Sequence, residues 1–230
     1  MSKVVTIMNM KGGVGKTTVS MHLGGILGLY EINKRWRKVL LIDYDPQFNL
    51  SQAYIPADSY FKNLEPSRRT SLSILTDDAT RLHPLSIQTP GSREPPEVES
   101  LTYNIFDGHS KNGNVLDIIP STLDLMYVAL GRPTTKLDAM EERFGKFIDK
   151  CRSKYDLIIL DCHPAGSILT KTSLGNSDHV VIPVMPQAYA QRGIGLMKEF
   201  VEVCKTPAPK AHILFNGVPR SGTNQIETNV

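Results

Sequence analysis

The chain is poor in cysteine, in long apolar runs and in excess charge of either sign. Three cysteines in 230 residues, Cys151, Cys162 and Cys204, are widely spaced and odd in number. They do not make a disulfide framework and read as reduced thiols of a cytosolic protein. There is no Cys-x-x-Cys pair. No apolar run approaches the roughly 20 residues that cross a bilayer. Met1-Ser2-Lys3 leads straight into an apolar stretch, so no signal peptide is expected. The formal net charge of +3 is mildly basic and lacks the footprint of a constitutive nucleic-acid binder. A basic patch assembled from two subunits would not show in that sum. The pattern contains no internal repeat and no N-terminal DNA-reading helix-turn-helix. What is present, a chain 40% hydrophobic, suffices for the core of one large α/β domain over residues 1–230.

The stretch Lys11-Gly12-Gly13-Val14-Gly15-Lys16-Thr17-Thr18 organises the rest. It follows Val4-Val5-Thr6-Ile7-Met8, which reads as a short buried strand. It precedes Val19, Leu23, Ile26, Leu27 and Tyr30, spaced for one face of a helix. Strand, glycine-rich loop, Gly-Lys-Thr and helix form the context of a phosphate-binding loop. The glycines let backbone N–H groups turn toward a polyphosphate, and the helix N-terminus adds partial positive charge. In such a loop Lys16 reaches the terminal phosphates and the Thr17 hydroxyl ligates Mg²⁺. The usual first glycine is replaced by Met10, and a second lysine, Lys11, follows it. This form resembles the ParA/MinD family of deviant Walker A ATPases, nearest to its ParA-type DNA partition members. The lack of a Cys-x-x-Cys pair argues against an iron–sulfur relative of the same class.

Val39-Leu40-Leu41-Ile42-Asp43 is an apolar run with an acid at its end. In an open parallel sheet ligands sit beyond the strands' C-terminal ends, so Asp43 and Asp45 should face the loop's crevice. Asp43-Tyr44-Asp45-Pro46-Gln47-Phe48-Asn49 resembles the family's second signature, and Pro46 fixes the backbone after Asp45. The resemblance implies that Asp45 positions the attacking water and that Asp43 lies near the Mg²⁺ water shell. Tyr155 to Asp161 is a further apolar strand. By resemblance Asp161 is the Walker B acid that holds Mg²⁺, directly or through water, opposite Thr17. The family usually continues x-Pro-Pro; here Cys162-His163-Pro164 follows. His163 is a structural substitution, a nucleotide or partner contact, or a metal ligand with Cys162. The last is disfavoured, because neighbours on a turning strand end rarely point at one metal.

Val115 to Ser121 reads as a strand ending in Pro-Ser, and Leu123-Asp124-Leu125-Met126 follows and starts a helix; strand, Pro-Ser and Leu-x-Leu are similar to the family's Leu-Ile-Pro-Ser element. Leu137, Met140, Phe144, Phe147 and Ile148 mark one face of a helix from about 135 to 150. His179 to Val184 reads as a buried strand, and Met185-Pro186-Gln187 as the family's loop near the adenine, ahead of a helix from Arg192 to Val203. Asn216 ends the last strand and resembles the adenine-reading residue, since an amide both donates and accepts. Arg192 is a DNA contact by resemblance or a plain surface arginine; Arg220 is a second DNA candidate. The basic segment 33–38 is a solvated turn or a DNA or nucleotide contact. Ser71 to Leu75 reads as the start of a helix segment, and the prolines between His83 and Ser100 read as a long surface loop, an insertion around 80–112. The resemblance implies a further strand and a C-terminal helix past position 220, where residues 221–230 are polar and show neither pattern.

The resemblance implies a P-loop NTPase-like α/β fold, with a mostly parallel central sheet and helices on both faces. It implies an ATPase using ATP and Mg²⁺, with Lys11, Lys16 and Asp45 catalytic. Residues Lys11 to Thr18 and Asn216 would bind nucleotide, and Thr17, Asp43 and Asp161 would serve the metal. The expected partners are a second copy when ATP is bound, DNA without sequence preference, and a centromere-binding ParB-type adaptor. The expected location is the cytoplasm, on the nucleoid, with no membrane. Two rivals stand beside it: a MinD-type membrane-associated positioning ATPase and a metabolic ATP-dependent ligase such as a dethiobiotin-synthetase relative, which lacks a lysine at the Lys11 position.

Overall fold

A strand covered on both faces needs apolar residues at every position, not at every second one. β1 (Lys3–Ile7), β2 (Lys38–Tyr44), β3 (Tyr103–Asp107), β4 (Val115–Ile119), β5 (Leu157–Cys162), β6 (His179–Val184) and β7 (Lys210–Phe215) form one sheet in the order β3-β4-β2-β5-β1-β6-β7. All six residues of β5, at its centre, are buried, whereas edge strand β7 alternates between exposed and half-buried. Every pairing is parallel except β3 with β4. The computed structural model describes residues 1–29, 36–76, 94–107, 113–130, 137–164, 166–186, 190–204 and 207–217. Residues 33–35, Gln187, Arg220 and the proline-rich stretch up to 93 lie outside them.

The helices are α1 (Lys16–Leu29), α2 (Asn49–Tyr54), α3 (Ala57–Ser59) running into a π-helical turn at Tyr60–Leu64, α4 (Leu72–Leu75), α5 (Val98–Leu101), α6 (Leu125–Ala129), α7 (Leu137–Arg152), α8 (Ile168–Gly175) and α9 (Ala190–Cys204). Alternate strand residues point to opposite faces. Ile7, Leu41, Ile118 and Ile159 therefore meet Val19, Leu23 and Leu27 of α1 on one face. Leu40, Ile42, Ile158 and Leu160 meet Phe144 and Phe147 of α7 and Leu169 of α8 on the other. Val180 and Ile182 pack with Ile194, Met197 and Val201 of α9. Helix α1 lies unusually close to the sheet. A Cβ at Gly24 would stand 2.6 Å from Leu41 Cδ2, and one at Gly28 would stand 2.9 Å from Leu116 Cβ. Glycine at those positions is what lets the helix ride on the strands that carry the site.

Regular structure occupies the described part of the stretch expected to be loop. Within residues 94–107, α5 buries Val98 and Leu101, and β3 adds an antiparallel edge strand to β4. Glu94 and Glu97 meet Lys146 and Lys150 of α7, and Glu99 meets Lys154 in the turn just after it. These ion pairs are exposed and contribute little, so the two apolar side chains anchor the segment. Among the described residues no helix is long and apolar enough to cross a membrane.

Candidate functional site

Register brings the chemistry to one rim. Ile7 at the end of β1 pairs with Asp161, and Asp161 pairs with Asp43 across β5 and β2. The loop leaving β1 thus starts beside two carboxylates. Gly13 (φ 73°) and Gly15 (φ 87°) take left-handed conformations, where a Cβ is strained. The loop is also tied from below by Asn9, which the motif reading passed over. Its amide Nδ2 donates to the Pro183 carbonyl at 2.8 Å, and its Oδ1 accepts from the Lys11 N–H at 2.9 Å.

The two lysines occupy different environments. Lys16 opens α1 and is only 8% exposed. Its Nζ lies 3.4 Å from the Lys11 carbonyl oxygen. Burial lowers its pKa, against the opposing charges of Asp161 and Asp45. Lys11, at the outer lip, is exposed.

The acids divide as well. Asp161 takes a hydrogen bond from Ser20 Oγ at 2.9 Å on Oδ1, while its buried Oδ2 has no hydrogen-bond partner among the described residues. Burial pushes its carboxyl up to about 6, with hydrogen bonds from Thr17 and Ser20 opposing. Asp43 is fully engaged: Oδ2 accepts from the Ser51 N–H at 2.8 Å and Ser51 Oγ at 2.7 Å, and Oδ1 from the Asp45 N–H at 3.3 Å. Burial and the neighbouring Asp161 push it up to about 8. Asp43 therefore staples the loop between β2 and α2, and the oxygen left for a cation belongs to Asp161. That orphaned oxygen, with Thr17 beside it, fits a hard ion such as Mg²⁺. Among the described residues no three His, Cys, Asp or Glu side chains gather. The remaining coordination would come from water and phosphate oxygens, as magnesium prefers.

A proton and a cation then compete for Asp161. Its carboxyl must ionise before it serves a metal, so magnesium-dependent nucleotide binding is expected to weaken as pH falls through about 6. Calorimetry near that pH, in two buffers of different ionisation enthalpy, counts the protons released. The native chain should release more than Asp161→Asn; equal release would place the metal elsewhere.

Asp45 Oδ1 accepts from the Gln47 N–H at 3.0 Å and from His163 Nδ1 at 3.2 Å. Burial pushes Asp45 up, but the His163 and Gln47 bonds and the charges of His163 and Lys16 outweigh it and hold the carboxyl below its usual range. Cys162 is buried, with its Sγ 3.9 Å from the Leu169 carbonyl oxygen. Cys162 and His163 do not converge on one metal. Asn216 follows β7 and donates its Nδ2 to the Val14 carbonyl at 2.9 Å, packing so near Gly15 that a Cβ there would stand 2.2 Å away. Arg192 is exposed in the first turn of α9. Ser20 lies one helical turn beyond Lys16, a spacing the sequence does display. Ser51 and Asn9 carried no comparable signal.

Strand, glycine loop, helix N-terminus and strand-end acids on a mostly parallel sheet define a P-loop nucleotide-binding domain. More narrowly, the chain belongs to the ParA/MinD-type P-loop ATPases: residues 2–212 match the AAA domain family. It is 32% identical over 205 residues to the sporulation initiation inhibitor protein Soj of Bacillus subtilis (strain 168), covering 88% of this chain and 66% of that one. The chain spans between 52% and 66% of the length of the curated relatives it matches. Cobyrinic acid a,c-diamide synthase of Mycobacterium smegmatis, with bound ATP analog and magnesium, superposes with a TM-score of 0.70 at 21% identity, over 100% of this chain and 81% of that. pNOB8 ParA bound to nonspecific DNA gives 0.65 at 22% identity, over 96% and 69%. At such identities the structures share the fold alone.

Proposed function

We propose that the chain is a ParA-type ATPase: a switch that dimerises on ATP, binds DNA without sequence preference and positions a plasmid or chromosomal cargo. One observation carries this: the loop holds two lysines in unlike settings, Lys16 buried against its own phosphate cradle and Lys11 exposed at the lip. A metabolic enzyme of the same fold needs only the first. Lys16 neutralises phosphate charge, and Thr17 and Asp161 hold Mg²⁺. The ion, when bound, adds positive charge where charge develops on the transferred group. Asp45 orients water, Asn216 reads the adenine, and Lys11 serves a partner subunit. Hydrolysis is slow and is stimulated by a ParB-type adaptor on the nucleoid. Solved pNOB8 ParA bound to nonspecific DNA supports the DNA half of the proposal, with Arg192 and Arg220 as contacts.

The weak net charge of +3 makes a single subunit a poor DNA ligand, and a dimer doubles the positive surface. Binding to unrelated duplexes is expected with ATP, and more strongly with Asp45→Ala plus ATP, but not with ADP. It should fall steeply as salt rises, because phosphate contacts release counterions. Gel shifts at several salt concentrations test this. Binding indifferent to nucleotide, or confined to one sequence, would contradict it.

A further inference from the structure

We infer that His163 is a positioning residue that fixes the carboxylate of Asp45 with one oxygen turned to the attacking water. The inference rests on the reading of Asp45 as the water-orienting acid. Tyr44 and Cys162 are paired in the parallel ladder of β2 and β5, so the next residue on each chain, Asp45 and His163, emerge side by side. They continue the face already occupied by Asp43 and Asp161, the face of α1. An ionised carboxylate can only accept, so His163 Nδ1 carries the proton and donates across 3.2 Å to Asp45 Oδ1. The Gln47 N–H donates to the same oxygen at 3.0 Å.

These two donors do different things. Gln47 belongs to the loop that carries Asp45, so its bond moves with that loop. The His163 bond crosses from the end of β5 to the end of β2, and ties the carboxylate to the strand that bears Asp161. With both donors on Oδ1, Oδ2 accepts no hydrogen bond among the described residues. It is the oxygen left to hold a water. Without His163 the carboxylate rotates about its Cβ–Cγ bond, and the alignment on which displacement depends is lost.

Single-turnover hydrolysis at saturating Mg-ATP, with binding of a fluorescent ATP analogue measured on the same preparations, tests this on the full chain. His163→Leu should lower the rate about tenfold while affinity stays within about twofold, as expected for a lost charge-assisted hydrogen bond that acts only on the chemical step. His163→Ala serves equally if the leucine variant folds poorly. His163→Asn, whose amide can offer a donor near the place of Nδ1, should bring the rate back to within about threefold of native. Added to Asp45→Asn, His163→Leu should cost nothing further, because the two act as one unit. A native rate in His163→Leu, equal losses in the leucine and asparagine variants, a loss confined to affinity, or additive losses in the double variant would each overturn the role of His163. Native hydrolysis by Asp45→Asn would instead overturn the reading of Asp45 beneath it.

Discussion

Lys16→Ala is expected to abolish measurable Mg-ATP binding while leaving the nucleotide-free fold at least as stable as before. Lys16 is buried at the start of α1, and burial lowers its pKa. A lysine whose folded pKa is lowered is less at ease charged in the fold than in the unfolded chain, so near neutral pH its removal relieves a cost. That cost is offset only when phosphate arrives. Charge-assisted hydrogen bonds contribute about 1.5–3 kcal/mol each, so losing two to a triphosphate weakens binding by roughly two to four orders of magnitude. Stopped-flow with a fluorescent ATP analogue measures the affinity, and thermal unfolding with and without Mg-ATP measures the ligand-dependent rise in Tm. The variant should unfold at or above the native temperature without nucleotide and show no rise with it. Unchanged affinity would remove the loop from the site.

The second large effect concerns Lys11. Its backbone is held by Asn9, and its side chain stands exposed at the lip. Cradling phosphates does not require it, since backbone N–H groups and Lys16 suffice. If Lys11 crosses to the nucleotide of a second copy, it acts as an arginine finger does, and such groups supply about 10³–10⁵ in rate. Lys11→Ala should then still bind ATP but lose hydrolysis and weaken the dimer, whereas Asp45→Ala should hold a long-lived ATP dimer. Mixing the two variants separates the geometries. With Lys11 acting in trans, each mixed dimer keeps one complete site and regains up to about half the native rate. With Lys11 acting in cis, every site lacks one group and no rate returns. No recovery in mixtures that light scattering finds to be dimeric would defeat the trans assignment.

The loop, Asp43 and Asp161 were readable because each is local: glycines where φ must be positive, and an acid at the end of an apolar run. Asp43 and Asp161 looked alike in that pattern. They differ because Ser51 folds back onto Asp43, whereas Asp161 Oδ2 has no hydrogen-bond partner among the described residues. α5 and β3 were missed because Val98 and Leu101 bury against a helix far along the chain, and β3 is a short edge strand with a register shift between Asn104 and Phe106. Their apolar residues make no period long enough to register.

The sequence by itself determined the class of site: a phosphate loop between a buried strand and a helix, acids at two further strand ends, and a second lysine where none is needed for phosphate. Those features rest on backbone conformation and on apolar runs, which neighbouring residues dictate. Only the tertiary structure decided the partnerships. His163 meets Asp45 because β2 and β5 align in one register, and Asn216 reaches Val14 because β7 ends beside the loop. Contacts of that kind join residues far apart in the chain. A shift of one residue in strand register would send each of these side chains to the opposite face, and no local pattern encodes which register is adopted.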